Sequence, residues 1–215
     1  MEGRGGARDA ALSAARTVAA SLAVALIAIA ACWHVTFGFR ALTAESVRRL
    51  QIASEGRTLA PLGLLLPDGE TFVPWGGAID ARRVYLLDFI YTRCATVCSV
   101  LGAEFAQLQA ELELDDRVRL LSISFDATHD TPEALARYAR RHGASPAWWS
   151  LGVPSDAAAH GRLLREAGVV VIDDARGGYA HNAAILVVRG DGALVRVFDY
   201  PEHREALAFA RSLEP

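Results

Sequence analysis

Val84-Tyr-Leu-Leu-Asp-Phe-Ile-Tyr-Thr-Arg-Cys-Ala-Thr-Val-Cys98 is the stretch on which the reading of the fold turns. Val84–Tyr91 is a nearly continuous apolar run, the pattern of a central strand covered on both faces. Two thiols follow it, Cys94 and Cys98, four positions apart. Residues at that spacing share one face of a helix. A disulfide needs Cα atoms within roughly 4.4–6.8 Å, so the pair can close with modest adjustment. Ala95, Thr96 and Val97 make the intervening loop wider than the Cys-x-x-Cys spacing of dithiol redox motifs. That width leaves room between the sulfurs for an ion of the Zn or Cu class, which thiolates prefer over Mg or Ca. A plain structural disulfide is the competing use of the pair.

Working outward, strands and helices alternate. Cys98–Leu114 has helical periodicity, with Val100, Leu101, Phe105, Leu108 and Leu112 at steps of three and four. Arg117–Phe125 reads as the next strand. Asp130-Thr-Pro-Glu133 opens a helix, with Thr131 as N-cap and Pro132 at the first position, and Gly143 suits its end. A short piece around Trp148–Leu151, a helix over Ser155–Ala167 and a brief strand at Val169–Ile172 come next. Ala183–Arg189 and Ala193–Phe198, joined by Gly190-Asp-Gly192, form an antiparallel hairpin, and Glu202–Leu213 closes as a helix. Upstream, Leu62–Leu66 and Glu70–Val73 flank Pro67-Asp-Gly69 as an N-terminal β-hairpin. The order predicts an α/β fold with a mixed sheet flanked by helices, and a thioredoxin-like topology matches it. The cysteines then sit at the carboxyl end of the first central strand, the edge where open α/β sheets bind ligands.

The 215 residues suit one globular domain with an appendage (residues 61–215 as the domain, 40–60 as a helical linker). Net charge is −3, with no basic face to suggest nucleic acid as a partner. All 22 basic residues are arginine, which excludes Walker-type phosphate loops and Schiff-base chemistry. Thr17–Phe39 carries no formal charge apart from any on His34, and is long enough to cross a hydrocarbon core of roughly 30 Å. Arg4, Arg8 and Arg16 against Glu2 and Asp9 place residues 1–16 in the cytoplasm by the positive-inside rule. The remainder then faces an oxidising compartment. A cleaved signal peptide, or a lipoprotein box Ile29-Ala-Ala-Cys32 with Cys32 lipidated, are the alternatives; each exports the domain.

Most of the six histidines have ordinary explanations. His34 lies in the apolar segment, and His142 at a helix end, where a cation is favourable. His129, His160 and His203 fit surface or capping roles. His181 differs, because Gly177-Gly-Tyr-Ala-His-Asn182 reads as a glycine-bearing loop feeding a hairpin strand. In a thioredoxin-like topology that loop packs against the cysteine loop, where an imidazole could meet both sulfurs. Asp88, six positions before Cys94, is an acid within an apolar strand. Buried there, its pKa should rise, and it would either relay protons or simply find a donor.

Four stretches together carry a family resemblance: Phe89–Cys98; Ser122-Ile-Ser-Phe-Asp126 with Asp130–Glu133; Tyr138–Ala144; and His181 followed by a strand and Asp191-Gly192. Over roughly residues 60–213 the chain resembles the Sco/SenC family of membrane-anchored, copper-binding proteins that assist cytochrome c oxidase assembly. The resemblance implies Cys94, Cys98 and His181 as copper ligands, Cys94–Cys98 as the disulfide of the metal-free oxidised form, and Asp126 in support. It also implies a copper-site subunit of cytochrome c oxidase as partner, and a bacterial inner-membrane anchor with the domain in the periplasm. Ala95 and Ser99 depart from the family's proline after each cysteine, which bears on affinity rather than on ligand identity. Three functions stay open: a copper metallochaperone; a thiol–disulfide oxidoreductase in which Cys94 attacks and Cys98 resolves; and an exported scaffold stapled by the pair.

Overall fold

The computed structural model describes residues 5–36, 38–39, 43–76, 82–94, 97–112, 115–175 and 177–214, and only the backbone of 5–11, 44, 45, 53, 54, 97 and 98. Two compact units divide between Leu50 and Gln51. The first contains α1 (Gly5–Val35), followed by α2 (Ala44–Glu55), which runs across the boundary. Within α1, Leu12–Val35 has mean hydropathy 2.2 and no buried residue. At 1.5 Å per residue its 24 residues span about 36 Å, long and apolar enough to cross a membrane. The helix stops at Val35, short of the expected Phe39, because Gly38 turns left-handed (φ +73°) and donates its N–H to the Trp33 carbonyl at 2.8 Å.

The second unit starts ten residues earlier than the linker expectation allows. Ile52 and Leu59 are fully buried, and Leu59 donates its N–H to Gly192 O at 2.8 Å. Residues 51–60 are therefore part of the folded domain. The hairpin β1 (Leu64–Leu65) and β2 (Thr71–Phe72) follows as expected. Then come β3 (Val84–Ile90), α3 (Val97–Glu111), β4 (Val118–Ser124), α4 (Pro132–His142), β5 (Trp149–Pro154) and α5 (Ala157–Ala167). β6 (Val171–Asp173), β7 (Tyr179–His181), β8 (Ala184–Arg189), β9 (Leu194–Asp199), a 3₁₀ turn (Tyr200–Glu202) and α6 (His203–Ser212) complete the chain.

The main sheet has seven strands in the order β2-β1-β5-β4-β3-β8-β9. β3, β4 and β5 are parallel; β8 is antiparallel to β3. Every residue of β3 is buried, which is why its sequence shows no alternation. Right-handed crossovers from β3 to β4 and from β4 to β5 put α3 and α4 on one face. There Phe105 of α3 meets the Trp149 ring at 5.5 Å, and Trp149 Nε1 donates to Ser122 Oγ at 2.9 Å. α4 is capped as its sequence predicts, with Thr131 Oγ1 accepting from Ala134 N and Gly143 at φ +68° closing the end.

Two expectations need correction. Gly177-Gly178 suggests a loop, yet Tyr179–His181 is β7, paired with β6 in a separate two-stranded sheet. The glycines form the turn, where Asp174 Oδ1 accepts from Gly178 N at 2.9 Å, and Tyr179 packs its ring on Tyr91 and Phe125. His142 is no surface cation at a helix end. Its ring packs 4.4 Å from that of Tyr138, and burial lowers its pKa, against the charged form.

His142 also fills the space above Gly102, where an added Cβ would lie 2.6 Å from the ring. Alanine at this position gains helix propensity worth about 1 kcal/mol. The overpacking it creates costs roughly 1–3 kcal/mol. Gly102→Ala is thus expected to lower the urea midpoint of unfolding, and His142→Ala in the same chain to offset part of that loss. A Gly102→Ala variant as stable as the parent would show that the two helices can separate freely.

Candidate metal centre at the carboxyl edge of the sheet

β3 delivers the chain to the sheet edge at Ile90, and the next residues turn sharply: Cys94 N donates to Tyr91 O at 3.1 Å. Cys94 is 4% exposed and lies in this turn, so the pair does not occupy successive turns of one helix as the spacing suggested. The backbone of Cys98 falls in the first turn of α3; its side chain and residue Ala95 lie outside the described part. Ser99 Oγ donates to Cys94 O at 3.4 Å, linking the turn to the helix start.

His181, at the end of β7, is partly buried. Its ring centroid lies 5.0 Å from that of Phe125 and 6.4 Å from that of Tyr91. Tyr91 is thus common to both sides: its carbonyl shapes the Cys94 turn and its ring faces His181. The Tyr91 hydroxyl also accepts from Tyr179 N and donates to Tyr179 O, both at 3.3 Å, holding β7 to the end of β3. Burial pushes the His181 pKa below the usual histidine value, which favours the neutral imidazole. Among the described residues no three His, Cys, Asp or Glu side chains gather into a metal site; the Cys98 side chain is not among them.

The turn before Cys94 is anchored by two buried aspartates, of which sequence reasoning singled out only Asp126. Asp130 is 1% exposed and accepts three hydrogen bonds, from Thr92 N (2.9 Å), Thr92 Oγ1 (2.6 Å) and Ser124 Oγ (2.6 Å). Ser124 Oγ in turn accepts from Asp126 N at 3.0 Å. Asp126 Oδ2 accepts from Arg93 Nη2 at 2.7 Å and Oδ1 from His129 Nδ1 at 2.8 Å. Burial alone would raise the Asp126 pKa, but the Arg93 and His129 hydrogen bonds outweigh it and hold the carboxyl below its usual range. His129 is therefore a hydrogen-bond partner of this loop rather than a plain surface residue. Its nitrogen also lies 3.1 Å from Arg93 Nη2, but a ring nitrogen that gives its hydrogen to Asp126 cannot accept a second one.

Asp88 is the opposite case. It is fully buried, and neither carboxylate oxygen has a hydrogen-bond partner among the described residues. Burial pushes its pKa up to about 7, offset only weakly by the hydroxyl of Ser122, its register partner on β4. That hydroxyl accepts the Trp149 indole N–H at 2.9 Å and is not within hydrogen-bonding geometry of the carboxylate. The carboxyl thus lies on the same face of the sheet as Ser122 and is about half proton-bearing near pH 7.

The profile of the family described as SCO1/SenC matches residues 79–211, more than half of the chain. Fold and cysteine edge define a thioredoxin-like domain. The chain belongs to the SCO1/SenC family. It is 26% identical over 124 residues to the SCO1 protein homolog of Bacillus subtilis (strain 168), covering 56% of this chain and 64% of that one. The match thus spans a little under two thirds of that relative. Its fold is similar to that of BsSco, a member of the Sco family of cytochrome c oxidase assembly proteins in which a disulfide switch was identified. For BsSco the TM-score is 0.61 and the identity 21%, over 73% of this chain and 93% of that one. Bradyrhizobium japonicum ScoI with copper bound is similar too, with TM-score 0.56 and 22% identity over 72% and 98% of the two chains.

Two measurements probe this geometry. Asp130→Ala removes the acceptor for three hydrogen bonds and should cost roughly 2–4 kcal/mol of stability in urea unfolding, with faster alkylation of Cys94; alkylation at the parent rate would show the turn needs no such anchor. For Asp88 the folded pKa lies above the unfolded one, so the folded state holds the proton more tightly. Stability from this group is complete below about pH 4 and is lost as pH rises through about 7. A rise of that size in proton affinity is worth roughly 4 kcal/mol over the interval. Asp88→Asn should flatten the reduced protein's stability between pH 5 and 8 and exceed the parent at pH 8. An unchanged slope would show the carboxylate is solvated in the fold.

Proposed function

We propose that the chain is a membrane-anchored copper metallochaperone that delivers copper to the dinuclear copper site of a cytochrome c oxidase subunit and so assists its assembly. Cys94 and Cys98 as thiolates and His181 as imidazole are the ligands of this reading. The observation that carries it is the placement of His181, partly buried against Tyr91 and Phe125, where burial favours the neutral imidazole. Neutral imidazole is the ligating form, whereas a protonated ring would repel the ion. Thiolate and imidazole are the donor types that suit copper, and loading releases the protons of both thiols. Membership of the SCO1/SenC family and similarity to a copper-bound relative support the assignment. Copper is cargo here, so a two-sulfur, one-nitrogen set that leaves a coordination position free allows ligand exchange with a recipient.

In this reading the apolar segment 17–39 is the anchor, residues 1–16 are cytoplasmic, and the domain lies in the periplasm of a bacterial inner membrane. The apolar helix and the arginines before it support that orientation. Cys32, exposed on α1, is the lipidation point should the segment be processed as a lipoprotein.

The thiol–disulfide reading keeps one observation of its own: Cys94 lies three positions before Val97, where α3 begins, and the N-terminus of a helix favours a thiolate. There the Cys94 thiolate attacks a partner disulfide and the partner's leaving sulfur takes up a proton. Cys98 then attacks the Cys94 sulfur of the mixed disulfide and expels the partner's second sulfur, which takes up a proton; the Cys94–Cys98 disulfide forms and the partner has gained two electrons. The two readings separate on His181→Ala. The reduced full chain in detergent should take up one equivalent of copper, and the variant should bind it at least about tenfold more weakly, a loss of about 1.4 kcal/mol, while Cys94 and Cys98 still oxidise to a disulfide. Unchanged copper affinity in the variant would remove His181 from the ligand set. Undiminished reduction of partner disulfides by a chain that takes up no copper would favour the oxidoreductase.

A further inference from the structure

Beside the thiol the protein has a cleft that neither metal binding nor disulfide chemistry uses. Thr92, Arg93, Cys94, Arg137, Tyr138 and Arg141 line most of a solvent-open hollow of about 480 Å³, with the buried thiol at its floor. Three guanidinium groups and no carboxylate border it among the described residues. Arg93 has a partner in Asp126, but its side chain remains 40% exposed. Arg137 and Arg141 are exposed, and neither forms an ion pair among the described residues. Glu133 senses Arg137 only at a distance, because its carboxylate is bonded to Thr131 Oγ1 at 2.7 Å.

The arrangement is costly to α4 taken alone. Like charges four positions apart repel. The helix dipole accounts for Arg141 in the last turn, but not for Arg137 in mid-helix. What the two share is the face turned toward the Cys94 turn. Their spacing of one helical turn, about 5.4 Å, suits carboxylates strung along a chain rather than one ion. The hollow is also far larger than a single small anion fills, since a water's share of liquid is about 30 Å³. Exposed arginines with planar donor forks are the means by which proteins steer and orient acidic partners.

We infer that the Arg93–Arg137–Arg141 cleft is a docking site for an acidic segment of a protein partner, which it holds across the mouth of the Cys94 site. Docking there orients the partner's own reacting group over the thiol and raises the encounter rate, without any demand on which ion the thiol carries. The inference is therefore independent of the copper assignment.

The test uses the reduced full chain in neutral detergent and a fluorescein-labelled decapeptide of alternating Asp and Gly, followed by anisotropy at about 50 mM salt, where the Debye length exceeds 10 Å. Saturable binding is expected, weakened roughly tenfold in Arg137→Gln/Arg141→Gln and further reduced by added salt. The control Arg162→Gln/Arg165→Gln on α5 makes the same change in net charge and should bind like the parent. Bound peptide should also slow iodoacetamide alkylation of Cys94 in the parent but not in the cleft variant. No binding to the parent, equal binding by all three proteins, peptide displacement by equimolar inorganic phosphate, or unaltered Cys94 alkylation would each overturn the proposal. Copper uptake, measured on the same samples, should be equal in all three, so a failure of the metal reading is seen separately.

Discussion

The functional edge depends on the buried carboxylate of Asp130. It ties Thr92, in the turn after β3, to Ser124, the last residue of β4, and so locks the ends of two parallel strands together. Every group of interest hangs from one side or other of that tie. Arg93 and Cys94 follow Thr92 directly; Asp126 is fixed by its own N–H to Ser124. A charged acceptor satisfied by three donors is stable in a low-dielectric interior, and one left unsatisfied there is costly. The thiol turn is therefore set by a polar cluster rather than by apolar packing alone, which suits a cysteine that must be both protected and reachable.

Two other aspartates show how position decides chemistry. Asp126 and Asp88 are both buried, yet their proton affinities move in opposite directions. Asp126 meets Arg93 and His129 at the sheet edge and stays ionised. Asp88 lies inside the sheet with no hydrogen-bond partner for its carboxyl among the described residues, and burial dominates. The first holds a loop by charge; the second keeps a proton within the strand that leads to Cys94. His181 follows the same rule from the basic side, since burial against two aromatic rings lowers its pKa and favours the neutral imidazole.

Much of this was legible in the residues. An unbroken apolar run can only be a strand buried on both faces, so β3 stood out, and the Thr131-Pro132 start and Gly143 stop of α4 followed from capping chemistry. Where the reading erred, tertiary contacts overrode local signals. Gly177-Gly178 pointed to a loop, but pairing with β6 and the packing of Tyr179 made a strand. His142 looked like a favourable end charge until α3 and β5 closed over it. Asp130 looked like part of a helix start, while its carboxylate serves a strand distant in sequence.

The amino-acid order determined which elements form and which chemical groups exist, because periodicity, caps and donor types are local properties. It also set the family, since each of the four stretches that carry the resemblance is contiguous in the chain. Only the tertiary structure decided which acid is ionised, which histidine is neutral, and that three arginines from two separate segments face one thiol. Those outcomes depend on burial and through-space distance, and neither is a function of separation along the chain.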